Sequence, residues 1–239
     1  MTDRQFKLLQ AIIREFIESA EAVGSLNLVN KYKLNVSPAT IRNEMAELMK
    51  QGYIEKPHTS AGRVPTTRGY KLFVESIMDE LEELDVADAA VIREKLFASR
   101  FDQDEVLYNA LNTLYEFTGN VSMALIDNKI YHAGLARIPT LPEFKQVQEL
   151  CNLIQVLEDR MLLKRLLEFD DSPDNVRVLF GRDTNIDVFK QMSIIYSPIT
   201  MYSKDGYIGV IGPQRMNYKK VIPAVEFVAD NINEMVSGW

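Results

Sequence analysis

Between residues 3 and 21, apolar side chains recur at three- and four-residue steps: Phe6, Leu9, Ile12, Ile13, Phe16, Ile17 and Ala20. That spacing predicts an amphipathic first helix over about Asp3–Glu21. Gly24-Ser25 interrupts it, and Ser25 is suited to cap a short second helix that continues through Tyr32. The loop Lys33–Val36 leads to Ser37-Pro38, a capping serine followed by proline at the first helical position. The third helix runs from there to about Gln51 and stops at Gly52, a residue suited to the left-handed position after a helix. On it Ile41, Met45 and Leu48 share an inward face, leaving Ala39, Thr40, Arg42, Asn43, Ala46 and Lys50 outward. Tyr53–Lys56 reads as a short strand. Pro57–Pro65 reads as a small polar loop tipped by Gly62 and Arg63, and Thr66 as the cap of a helix that turns Tyr70, Phe73 and Val74 to the core.

Beyond residue 118 the pattern alternates strand and helix. Strand-like runs are Val121–Ile126, Lys129–Leu135, Val176–Gly181, Ser193–Met201 and Tyr207–Ile211, with Asp127-Asn128 and Lys204-Asp205-Gly206 as hairpin turns. Helical runs are Glu143–Asp159, Met161–Phe169 and Tyr218–Val236. Ser76–Arg100 and Asp104–Thr118 read as acidic amphipathic helices joined by Phe101-Asp102-Gln103. The expectation is an α+β chain in three parts: a winged helix-turn-helix at 1–75, a helical linker or dimerisation region at 76–118, and an α/β body at 119–239.

Composition narrows the classes. A chain of 239 residues, 46% of them hydrophobic, can bury a full core in one to three domains. No apolar run is long enough to span a membrane, and the N-terminus is a charged amphipathic helix rather than a signal peptide, so a cytoplasmic location is expected. The net charge of -7 is unevenly spread. Lys31–Lys71 holds eight Lys and Arg against three Glu, a net +5, whereas Ile77–Glu105 holds three basic residues against ten acids, a net -7. A basic module joined to acidic ones is the arrangement in which only one part meets phosphate.

Catalysis finds little support. Cys151 lies in an apolar helical run and reads as a reduced core residue. His58 and His132 have no Asp or Glu at metal-ligand spacing. The glycines of the GVIGP run read as a strand-to-helix turn before Tyr218, and Asp170, Asp171 and Asp183 as loop acids. No enzyme activity, cofactor or metal is expected.

The candidate chemistry lies in Ser37–Lys71. Small residues at the start of the third helix, Ser37, Ala39 and Thr40, let a backbone approach base edges. Asn43 suits adenine and Arg42 suits guanine or phosphate, and a helix N-terminus attracts phosphate. That face alone reads better as ordinary solvated surface. The loop holding His58, Thr59, Ser60, Gly62 and Arg63 tips the reading, because a basic, small-residue wing suits a minor groove or the backbone. Lys31, Arg63, Arg68 and Lys71 complete the expected phosphate contacts.

SPATIRNEMAELMKQGYIEKPHTSAGRVPTTRGYKLFV resembles the DNA-binding domain of the heat-inducible transcription repressor (HrcA) family. The TIRNEM-type helix also occurs in other winged-helix regulators, including the DeoR type, whereas the wing PHTSAGRVPTTRGY is far more restrictive. Weaker similarity continues through LYEFTGNVSMAL, YHAGLARIPTLPEFKQVQELCNLIQVLED, VRVLFGRDT and YIGVIGPQRMNYKKVIPAV, which are similar to the family's GAF-like regulatory domain. The resemblance places the recognition-helix motif on Ser37, Thr40, Arg42 and Asn43, and the wing on His58, Thr59, Ser60, Gly62 and Arg63. It implies a GAF-like fold for 119–239. One departure stands out. The family carries a dimerising domain inserted between early strands of the GAF-like domain, yet here Asp127-Asn128 leaves no room for one.

The resemblance implies a repressor of heat-shock or chaperone operons. It would bind an inverted-repeat operator on double-stranded DNA as a homodimer, leave it on heat stress, and have its folding supported by a chaperonin. The alternative is a metabolite-sensing winged-helix regulator whose GAF-like domain binds a small ligand. A third class, an enzyme with a borrowed winged helix, would need a substrate that nothing in the chain suggests.

Overall fold

The computed structural model describes residues 1–32, 37–58, 61–169 and 174–237. They divide into two compact units, Met1–Leu81 and Glu82–Trp239.

The first unit begins with α1 (Asp3–Ser19), which starts in a reciprocal capping box between Thr2 and Gln5 and ends at left-handed Ala20. It is followed by α2 (Ser25–Tyr32) and α3 (Pro38–Lys50). The strands β1 (Ile54–Glu55) and β2 (Val64–Pro65) then pair antiparallel, and α4 (Thr67–Met78) closes the unit. Leu9, Ile12 and Ile13 of α1, Leu28 of α2, Ile41, Met45 and Leu48 of α3, and Tyr70, Phe73 and Ile77 of α4 are all buried. Each such side chain contributes roughly 1.5–3 kcal/mol on leaving water. The inward and outward faces expected for the third helix are those observed, and Gly52 has the left-handed φ of 77° expected after it.

The second unit holds α5 (Val86–Ala98), α6 (Gln103–Thr118), β3 (Val121–Ile126), β4 (Lys129–Ala133), α7 (Val147–Glu158), α8 (Arg160–Leu167), β5 (Arg177–Phe180), β6 (Met192–Met201), β7 (Lys204–Pro213) and α9 (Tyr218–Ser237). Among the described residues its strands form one sheet in the order β4-β3-β7-β6-β5, and every pairing is antiparallel. The chain is thus α+β. The expected α/β alternation is present in sequence, but no parallel strand pair accompanies it.

One face of the sheet, with Val121, Met123, Ile194, Tyr196 and Ile211, packs on Leu153, Val156, Leu163 and Leu166 of α7 and α8. The other face meets α6 and α9, and the Ser122 hydroxyl donates to the Leu111 carbonyl of α6 at 2.6 Å. With helices on both faces every residue of β3 is buried, which is why its sequence is a continuous rather than an alternating apolar run.

Several boundaries move from where the sequence put them. The expected helix Ser76–Arg100 breaks after Met78 and restarts at Val86, where Asp85 accepts the Ala87 N–H at 2.9 Å. The acids between these helices would repel one another at helical spacing. Glu143–Asp159 likewise splits, with a short 3-10 turn over Pro142–Phe144 before α7.

The β6–β7 turn is Tyr202-Ser203, both left-handed, rather than Lys204–Gly206. Gly206 and Gly209 are instead strand residues. A Cβ on them would lie 2.4 Å from the Leu125 carbonyl oxygen and 2.2 Å from that of Ile195. Of the GVIGP glycines, Gly209 therefore serves close strand contact, and Gly212, also in β7, lies where a Cβ would meet the Asn120 side-chain oxygen at 2.6 Å, so neither makes a turn before Tyr218. Cys151 is exposed rather than in the core, because α7 turns Leu153, Val156 and Leu157 inward and Cys151 lies on its other side. Asp170 and Asp171 lie outside the described residues, and Asp183 closes a 3-10 turn. No helix among the described residues is long and apolar enough to cross a membrane.

Gly209→Val should lower stability by roughly 1–3 kcal/mol by overpacking β6 against β7. Asn128→Gly, at a left-handed turn position (φ 60°), should change it by less than about 1 kcal/mol. Urea midpoints measure both, and equal midpoints would show that the two strands are not in this contact.

Candidate nucleic-acid interface

The start of α3 is built by its cap. The Ser37 hydroxyl accepts the Thr40 N–H at 3.1 Å and lies 2.9 Å from the Thr40 hydroxyl, while Pro38 has no N–H to satisfy. Such a cap contributes about 1 kcal/mol to the helix. It leaves Ala39, Arg42 and Asn43 exposed and Thr40 half-buried. The Arg42 Nε donates to the Ser25 hydroxyl at 3.2 Å, so this arginine leans on the first turn of α2. The result is a set of donors and small side chains at the positive end of a helix.

The end of α3 is closed by the chain that follows the ribbon. The last carbonyls of α3 at Glu47, Leu48 and Met49 accept the N–H groups of Gln51, Tyr53 and Gly52, each at 3.0 Å, and the chain just past them is held from α4. Here the Thr66 hydroxyl donates to the Gly52 carbonyl at 2.6 Å while accepting the Gly69 N–H at 3.2 Å. The Arg68 Nη1 donates to the Gln51 carbonyl at 2.9 Å, and its guanidinium lies 4.7 Å from the centre of the Tyr53 ring. Arg68 is exposed, so it holds the end of α3 and still shows charge to solvent. Lys71 is exposed one turn further along α4.

Between β1 and β2 the loop is fastened at its base. Val23 and Arg63 exchange both backbone hydrogen bonds, at 2.8 and 2.9 Å, in an antiparallel bridge. Gly62 is required there: a Cβ would sit 2.5 Å from the Ala22 oxygen and 2.6 Å from the Val23 oxygen. The Arg63 side chain is half-buried, its Nη1 donating to the Gly62 carbonyl at 3.2 Å and the Ala61 carbonyl at 3.4 Å. Gly62 and Arg63 therefore stand against the α1–α2 connection rather than at the loop's tip. His58 is exposed and its carbonyl accepts the Ala61 N–H at 2.9 Å, whereas Thr59 and Ser60 lie outside the described residues.

Lys31, expected at phosphate, is engaged elsewhere. Its ammonium lies 2.7 Å from Glu15 and 2.5 Å from Glu18, and the Asn27 amide donates to Glu15 at 3.0 Å. Glu15 is buried, and the Lys31 ammonium holds its carboxyl below the usual range against the opposing effect of burial, with Asn27 assisting. Two carboxylates balance the Lys31 charge and raise its pKa. Sequence reading missed this clamp between α1 and α2. Its signal was a glutamate three residues after Ile12, on the face the helix buries.

The chain aligns with the family model described as HrcA protein C terminal domain over residues 66–222. The chain belongs to the HrcA family. It is 26% identical to heat-inducible transcription repressor HrcA of Pelotomaculum thermopropionicum over 338 aligned positions, covering 99% of this chain and 97% of that protein. The HrcA repressor of Carboxydothermus hydrogenoformans is also 26% identical, over 335 positions and 98% of each chain. These alignments exceed the 239 residues present here by about a hundred positions, so about that many positions of each HrcA relative face no residue of this chain. In keeping with that, β3 turns directly into β4 through left-handed Asp127 and Asn128. A crystal structure described as that of a hypothetical protein has the same fold, with a TM-score of 0.83, 18% identity and coverage of 100% of this chain and 99% of that one. The two HrcA relatives are named as transcription repressors, and their names state no catalytic activity.

Elsewhere in this HrcA chain, the second unit has an open groove of about 700 Å³ lined by Leu125, Asn128, Lys164, Thr200, Tyr207 and Asn233. Charged groups beside it are paired: Lys204 with Asp127 at 2.8 Å, and Lys164 with Glu168 at 3.7 Å. Among the described residues no group of three or more His, Cys, Asp or Glu is placed to hold a metal ion.

Because the Glu15 pKa is lowered in the folded chain, the stability it lends is present above the ordinary glutamate range, about 4.5, and is lost as pH falls below it. Glu15→Gln should therefore lower the thermal midpoint at pH 7 more than at about pH 3. An equal drop at both would show that the Glu15–Lys31 pair carries no net stability.

Proposed function

We propose that this HrcA-family protein is a cytoplasmic repressor of heat-shock or chaperone genes that occupies an inverted-repeat operator as a homodimer and leaves it on heating. The observation that carries the reading is the exposed start of α3, clamped at its far end by Thr66 and Arg68 beside a ribbon fastened to the α1–α2 connection. Helix, strand, loop, strand and helix in that order support a winged helix-turn-helix reading, and rigid support at both ends suits a helix that must hold its register in a major groove.

Ser37, Ala39 and Thr40 let the helix start approach the bases. Asn43 and Arg42 read base edges, with Arg42 exchanging its single bond to Ser25 for guanine or phosphate. His58, Thr59, Ser60 and Gly62 form the wing that follows the backbone or minor groove. Arg63, Arg68 and Lys71 supply the salt-dependent attraction to phosphate. Repression requires occupancy alone, and no bond is made or broken. A chaperonin that supports folding of the repressor would couple occupancy to the cell's load of unfolded protein. The open groove in the second unit favours one further reading, in which a small polar ligand adjusts DNA affinity.

Titration against an inverted-repeat operator and a scrambled duplex, with and without heating, tests the proposal. The operator should bind at least about tenfold more tightly, a difference of about 1.4 kcal/mol. Arg42→Ala should narrow that gap, whereas Arg63→Ala should weaken both duplexes and reduce the salt slope by about one. Equal affinity for the two duplexes at moderate salt would sink the specific-repressor reading.

A further inference from the structure

Helix α5 has two apolar faces. Ile92 and Leu96 are buried on the side that meets α6 and α9. Val86, Ala90 and Phe97, spaced four and seven residues apart, line an exposed side. At the α5–α6 turn the Arg100 guanidinium lies against two rings, 3.9 Å from the centre of Phe97 and 4.1 Å from that of Phe101, and its Nη1 donates to the Phe97 carbonyl at 2.8 Å. The Tyr202 hydroxyl of the β6–β7 turn reaches the Arg100 carbonyl at 3.3 Å. Beside this stack is a cavity of about 320 Å³ lined by Arg100, Val106, Met201, Tyr202, Ile232 and Met235. A cavity of about 150 Å³ already holds a benzene ring.

We propose that the α5–α6 turn and the β6–β7 turn form one self-complementary patch onto which a second copy of this chain docks, each protomer's Phe97–Phe101 pair seating at the other's cavity. This rests on the homodimer reading given above and names its surface.

Three observations favour a second copy over another partner. An isologous interface requires projection and recess on the same patch, and both lie within one side chain of Arg100. The area also fits. Phe97, Phe101 and Tyr202 are 54%, 69% and 44% exposed. At 150–250 Å² per aromatic side chain they present roughly 250–400 Å². A standard dimer interface takes about 800 Å² from each partner, of which a little over half is apolar. Finally, the rings are held before any partner arrives: contact of each with the Arg100 guanidinium limits its motion, so less entropy is lost on docking. Exposed acids of the helix pair, among them Asp88, Glu94, Asp104 and Glu105, would face like charge on the partner, so apolar contact must dominate.

Sedimentation of the full chain at micromolar concentration tests this. The wild type should be a dimer, unchanged or tighter on raising salt to about 0.5 M. Phe97→Ala with Phe101→Ala should raise the dimer dissociation constant more than about tenfold while far-ultraviolet circular dichroism stays the same. Tyr202→Gly provides an independent check, since it removes one wall of the cavity and relieves a left-handed backbone; it too should weaken the dimer. A dimer that survives all these changes, or one that dissociates in high salt, overturns this interface and leaves the DNA reading standing. A wild-type monomer overturns both the interface and the homodimer. Failure of operator discrimination, with dimerisation lost as described, would sink the repressor reading alone.

Discussion

The carbonyls of Gln51 and Gly52, where the chain leaves α3, constrain the first unit more than any other groups. Carbonyls that lie beneath another chain segment must be satisfied, or each costs about as much as a lost hydrogen bond. Gln51 and Gly52 are satisfied by Arg68 and Thr66, which stand on the far side of the ribbon. That requirement fixes the length of the ribbon and its pairing of Ile54 with Pro65. It also fixes the start of α4, whose cap is the same Thr66 hydroxyl. The bridge between Val23 and Arg63 then fastens the opposite edge of the ribbon to α1–α2. Helix, ribbon and wing base are thereby held as one object.

This arrangement explains why basic residues of the module divide into two kinds. Lys31 spends its charge inside the fold, balancing Glu15 and Glu18, whereas Arg63, half-buried on its own loop carbonyls, keeps its charge. Arg42, Arg68 and Lys71 remain exposed. The net charge of the segment was therefore a good guide to its class and a poor guide to which residues face a polyanion. In the second unit the governing constraint is different. Both faces of the antiparallel sheet are covered by helices, and Gly206 and Gly209 stand where a Cβ would strike the neighbouring strand.

Local chemistry was legible. Caps at Ser37 and Thr66, the left-handed Gly52, the inward triplet Ile41, Met45 and Leu48, and the Asp127-Asn128 hairpin each depend on a few adjacent residues, and each is found where the sequence implied. What failed were features decided across the chain. The glycines of the GVIGP run suit a turn by composition, yet both lie in β7, where a Cβ on Gly209 would strike Ile195 and one on Gly212 the Asn120 side chain. The tyrosine and serine at 202 and 203 carry no turn signature, yet they turn because Met201 pairs with Lys204. Cys151 sits in an apolar run but faces outward, since periodicity shows which residues share a helix face and not which face is covered.

The sequence by itself determined the element types, the basic character of residues 31–71, and the family, because capping, periodicity and a restrictive wing motif are short-range properties. Only the tertiary structure decided that Gly62 and Arg63 stand at the base of the wing, that Lys31 is consumed in an ion pair, and that Arg68 closes α3. Each of these depends on atoms brought together from distant positions, such as Val23 with Arg63 or Gln51 with Arg68. Pairings of that kind follow from how helices and strands fill shared space, which no local window of residues specifies.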